Sequence, residues 1–100
     1  MILRIVRMTF QPDRVDEFTT LFGSVSKKIR NFPGCMYLKL MRDHNQPQVF
    51  VTYSKWQSEK DLNEYRKSDL FSETWAQTKV LFADKPVAFS LEEFSGEIHV

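Results

Sequence analysis

The chain has one cysteine, three glycines and four prolines in 100 residues, and its 14 Lys and Arg nearly cancel its 13 Asp and Glu. A lone Cys35 excludes an internal disulfide and suits a reduced, cytoplasmic setting. A charge balance this close leaves no electrostatic footprint for nucleic acid or an anionic lipid surface, so neither is expected as a partner. No apolar run approaches the length of a membrane span. The opening "MILRIVRMTF" carries Arg4 and Arg7 and no small-residue cleavage site, so it is not expected to act as a signal peptide. Histidine is scarce as well. His44 falls in a predicted loop and His99 near the C-terminus, and nothing in the chain plan pairs them on a metal, so no metal is expected. No linker, repeat or low-complexity tract divides the chain, and residues 1–100 read as a single domain.

What is plentiful is aromatic: nine Phe, three Tyr and two Trp. That load serves either a well-filled core or a pocket for a flat apolar ligand. Its placement follows from periodicity. "MILRIVRMTF" is rich in branched and aromatic residues and reads as a strand. Pro12 suits the first turn of a helix, and Asp13 and Asp16 suit its positive end. Val15, Phe18, Phe22, Val25 and Ile29 then recur at helical spacing, which predicts an amphipathic helix ending near Arg30. "NFPGC" breaks it. "CMYLKLMR" and "QVFVTYSKW" read as a hairpin around "DHNQP". Ser58 with Asp61, and Ser68 with Asp69, read as caps of two further helices, the second carrying Phe71, Trp75 and Phe82 on one face. "VAFSLEEF" reads as a last strand. The order strand, helix, strand, strand, helices, strand predicts an α+β fold of the ferredoxin-like split βαβ type, an antiparallel sheet with helices on one face.

Alternation on the first strand bears on assembly. Ile2, Val6, Met8 and Phe10 point one way with Arg4 among them; Leu3 and Ile5 point the other way with Arg7. Both faces are apolar, yet the helices of this plan cover only one. A homodimer is therefore expected, with the Ile2, Val6, Met8 and Phe10 face buried in a two-fold sheet-to-sheet contact. A central strand shielded within a monomer is the alternative.

The "PGC" turn after the amphipathic helix, and the run "WQSEKDLNEYRKSDLF" with its helix cap before Phe71, resemble the antibiotic biosynthesis monooxygenase family. The resemblance spans Ile2 to Phe94 in element order and spacing. It implies a dimeric α+β barrel with a ligand pocket in each protomer between sheet and helices. It also implies oxygenation of electron-rich aromatics, such as phenolic polyketides or hydroquinones, without metal or flavin. A branch of the family degrades haem through an Asn, a Trp and a His. Aligned on Trp56 and "KSDLF", those positions hold Arg7, Tyr65 and Trp75 here, so the resemblance does not extend to that ligand set. The histidines of quinol-oxidising relatives, near Tyr65 and Leu70, are absent too. No cofactor is expected.

The remaining candidates are few. Arg7, on a central strand, either holds a phenolate or carboxylate or pairs with Glu64, Asp69 or Glu73. The Tyr65 phenol either hydrogen-bonds a substrate oxygen or packs on the sheet. Arg7 and Tyr65 are thus the candidate catalytic residues. Arg7, Trp56, Tyr65, Phe71 and Trp75 are the candidate binding residues, with core filling as the alternative for the aromatics. Cys35 has no evident activating base and reads as a packed residue. The expected function is a cofactor-independent monooxygenase acting on a small electron-rich aromatic. The alternatives are a non-catalytic dimer binding a small aromatic or anionic ligand, and a lyase or isomerase on the same barrel.

Overall fold

The computed structural model of the protein describes residues 1–94, so His99 lies outside the described residues. Strand β1 (Ile2–Thr9) leads through a 3-10 turn at Pro12–Arg14 into helix α1 (Val15–Arg30). Strands β2 (Cys35–Arg42) and β3 (Val49–Trp56) form a hairpin, helices α2 (Glu59–Arg66) and α3 (Asp69–Lys79) follow, and β4 (Val87–Leu91) closes the sheet. The strand order is β2-β3-β1-β4, antiparallel throughout. Each helical crossover therefore joins parallel, non-adjacent strands, which is the ferredoxin-like α+β arrangement. Among the described residues no helix is long and apolar enough to cross a membrane.

Local chemistry sets the boundaries. Ser58 Oγ accepts the Asp61 N–H at 3.1 Å and opens α2, and Ser68 Oγ accepts the Phe71 N–H at 3.1 Å and opens α3. Each satisfies a donor that a helix start leaves bare. Gly34 ends the α1–β2 turn at φ 87°, and a Cβ there would lie 2.4 Å from that of Asp61. Both the backbone angle and the α2 contact thus demand glycine. In the hairpin loop, Asp43 Oδ1 accepts the N–H groups of Asn45 and Gln46, which holds its carboxyl below its usual range.

The sheet face under the helices holds two core clusters. Met8, Phe10, Phe18, Phe50 and Leu81 form one, with Phe10 and Phe18 rings stacked at 4.0 Å. Cys35, Trp56 and Leu62 form the other, with Ile2 packed against it. These clusters overturn the expected dimer face. Met8 is 3% exposed and Phe10 0% within the chain itself, so the face of Ile2, Val6, Met8 and Phe10 is covered by the chain's own helices. The face left open belongs to the other parity. There Leu3, Ile5 and Arg7 of β1 stand beside Lys55, Tyr53 and Val51 of β3 and Leu91, Phe89 and Val87 of β4. Phe89 is 43% and Leu91 47% exposed on the edge strand β4, so large apolar side chains face outward there.

Candidate active site

Between the two core clusters the helices do not close fully on the sheet, leaving a cavity of about 300 Å³. Sequence position explains the gap. Ala88 on β4 and Thr52 on β3 present small side chains to it, whereas α3 stands off on the rings of Phe71 and Trp75. The volume lies at the lower end for ligand sites, so the space suits a molecule of one or two rings.

Four of the five expected binding residues meet at this cavity: Trp56, Tyr65, Phe71 and Trp75 all line it. Trp56 and Tyr65 stack at 4.9 Å, the Tyr65 ring meets Phe71 edge-on at 5.3 Å, and Phe71 stacks on Trp75 at 5.9 Å. The result is one continuous aromatic wall. Trp56 is its fixed end, 1% exposed, its indole N–H donating to Ser54 Oγ at 3.0 Å.

Arg7 is not there. It is exposed on the open sheet face, opposite Val51 and Val87, and forms no ion pair with Glu64, Asp69 or Glu73. Its place at the cavity is taken by Arg4, which has the parity of Val6 and Met8 and lies between Ser54 of β3 and Ser90 of β4. Arg4 Nη1 donates to Ser90 Oγ at 3.1 Å. Arg66, the last residue of α2, also lines the cavity, one turn beyond Leu62 on the same helix face. Burial lowers the Arg4 pKa below its ordinary value, and the charge of Arg66 lowers it further. Arg4 had a visible signal, its parity on β1. Arg66 had none beyond its spacing from Leu62.

The Tyr65 hydroxyl donates to no group among the described residues, and burial pushes its pKa up from 10.0 to about 12. It therefore stays a neutral donor at any ordinary pH. The folded chain also holds this proton more tightly than the unfolded chain. The corresponding stability is fully present below pH 10.0 and is lost as pH rises through about 12. Wild-type protein is expected to lose on the order of 2 kcal/mol more than Tyr65→Phe over that window, read as denaturant midpoints against pH. Parallel curves would show that the phenol is solvated. Cys35, buried behind Tyr65, is pushed up by burial and does not line the cavity.

A ferredoxin-like α+β sheet with one aromatic chamber between sheet and helices describes the class of protein. The chain belongs to the antibiotic biosynthesis monooxygenase family, whose sequence profile its residues 1–77 match. The fold superposes on the crystal structure of an antibiotic biosynthesis monooxygenase with a TM-score of 0.88 at 18% identity, covering 94% of this chain and 99% of that one. A conserved protein from Methanosarcina mazei Go1 superposes with a TM-score of 0.88 at 19% identity, covering 94% of each chain. A sequence relative from Haloarcula marismortui, named "Putative heme-binding protein", is 28% identical over 78 residues. Those residues are 78% of this chain and 12% of that protein.

The residues at the cavity do not fit an axially ligated haem. Among the described residues no histidine or cysteine lines it, Met8 lines it but is 3% exposed and packed among Phe10, Phe18 and Phe50, and the Tyr65 phenol resists ionisation. His44 lies in the β2–β3 loop, away from the chamber. No group of three or more metal-ligating side chains occurs among the described residues.

Proposed function

We propose that this chain is a homodimeric monooxygenase that oxidises a small electron-rich aromatic in the cavity without metal, flavin or haem. The observation that carries this reading is the cavity's make-up: an aromatic wall, a neutral phenol donor at Tyr65 and two guanidinium groups, with no carboxylate or imidazole among the described residues that line it. Such a site can hold a flat ring dry, keep it ionised and stabilise charge, and an ionised electron-rich ring can itself give an electron to dioxygen. Oxidation of a ring methylene would place one oxygen atom on carbon. The second oxygen would leave as water with the two hydrogens of that carbon. Dioxygen is the sole oxidant. The open sheet face, with half-buried Ile5 and Tyr53 beside exposed Phe89 and Leu91, supports the dimer, two copies covering each other's apolar surface.

That no described residue lining the cavity brings a carboxylate or imidazole also favours a second reading, a non-catalytic carrier of the same ligand. It weighs against a lyase or isomerase, which needs a positioned general base. Metal-free protein is expected to consume dioxygen with at least one member of a panel of hydroquinones and anthrones, in proportion to enzyme concentration. Ligands that raise the melting temperature with no oxygen uptake across the panel would overturn the oxygenase and establish the carrier.

A further inference from the structure

Among the described residues the cavity lining carries two positive charges and no negative one. Arg4 and Arg66 both line it, no described Asp or Glu does, and the one ion pair among the described residues is Arg14–Glu17 at the start of α1. Among the described residues the Arg4 side chain is held only by the neutral Ser90 hydroxyl, and that of Arg66 has no hydrogen-bond partner. Arg4 is partly desolvated and is repelled by the charge of the exposed Arg66, and among the described residues neither is offset by a protein anion. The planar, multi-donor guanidinium is also the side chain best matched to an oxyanion. The rest of the lining is aromatic and aliphatic with a few Ser and Thr hydroxyls, and it includes Tyr65, whose hydroxyl donates to no group among the described residues.

We infer that the cavity selects its aromatic ligand in the ionised state, as a phenolate, enolate or carboxylate. The charged oxygen lies between Arg4 and Arg66, and the ring lies against Tyr65 and Trp75. This deepens the proposed function and rests on that reading for the location of the ligand, but it makes no use of oxygen chemistry. The titratable groups facing the bound oxygen are Arg4, Arg66 and Tyr65, with the Cys35 thiol behind Tyr65. Two of these are cationic and two neutral at ordinary pH, so the local field favours the anion. The arginines would thus do for the ligand what a general base does elsewhere: they lower the pKa of the bound phenol rather than take its proton.

The test is anaerobic titration of the protein with a chromogenic nitrophenol, whose ionised form has its own absorption band. Bound dye is expected to ionise at a pH lower by about one unit or more, which means roughly tenfold tighter binding of phenolate than of phenol. Arg4→Gln and Arg66→Gln are each expected to reduce anion affinity about tenfold. Arg4→Lys should restore part of the loss, and Arg14→Gln should change nothing. Benzoate competing better than neutral benzamide would extend the class to carboxylates. Arg66 is exposed at a helix end, so its variant reports even if Arg4→Gln fails to fold. A bound dye that keeps its solution pKa would overturn the inference. So would equal binding of the neutral methyl ether, or binding unchanged in both glutamine variants. Because no turnover is measured, an anion site without oxygen uptake would sink the oxygenase alone. Oxygen uptake with charge-blind binding would sink the anion site alone.

Discussion

Phe89→Asp is expected to convert the proposed dimer to a folded monomer at micromolar concentration, seen as a halved mass by sedimentation. Phe89 lies on the edge strand β4 opposite Ile5, which in turn faces Tyr53 on β3, so the substitution puts a carboxylate against the apolar residues of the open sheet face. In an isolated chain that side chain already meets water, and the fold should survive. In a two-fold contact each copy buries one unpaired carboxylate, and each costs several kcal/mol. The sum reaches the scale of a micromolar dimer's whole binding energy, about 8 kcal/mol. A Phe89→Asp protein that sediments like wild type would show that this face is not the interface. Val6, by contrast, lines the chain's own cavity, so a charge there should damage ligand binding rather than association.

Trp56→Ala should be the most destabilising single change on the cavity wall. Trp56 is 1% exposed, stacks on Tyr65 at 4.9 Å and meets Phe32 at 6.4 Å. Its removal leaves a hole that the sheet below cannot collapse to fill, which typically costs about 3–5 kcal/mol. A domain of this size has about 5–15 kcal/mol in total and shifts by about 4–8 °C per kcal/mol, so melting should fall by roughly 15 °C or more. Trp56→Phe keeps most of the stacking and loses the indole donor to Ser54, at about 1 kcal/mol. A Trp56→Ala protein melting within a few degrees of wild type would show that the sheet and helices do collapse around the vacated space.

Much of the framework was legible in particular residues. Ser58 and Ser68 mark helix starts because their hydroxyls replace missing backbone acceptors, a purely local effect. Gly34 after Pro33 marks the turn for an equally local reason, its positive φ. The spacing of Phe71 and Trp75 put both rings on one helix face, and they do meet at the cavity with Trp56 and Tyr65. The end of the last strand was less legible: "VAFSLEEF" alternates on paper, but β4 stops at Leu91.

The arginines mark the boundary between what the sequence alone determines and what tertiary structure decides. Alternation along β1 separates Arg4 from Arg7 onto opposite faces, and no further information is needed for that, because successive strand side chains point opposite ways. Which face lies under the helices is a different matter. Both faces are apolar, one built from Val6, Met8 and Phe10 and the other from Leu3 and Ile5, so hydrophobicity along the strand does not distinguish them. The choice is made by contacts distant in sequence: Phe10 against Phe18 of α1 and against Phe82 beyond α3, and Ile2 against the Trp56 and Leu62 cluster. Those contacts turn Arg4 inward to meet Arg66 and leave Arg7 on the open face, because only packing between layers, and not the pattern within one strand, gives a sheet its inside.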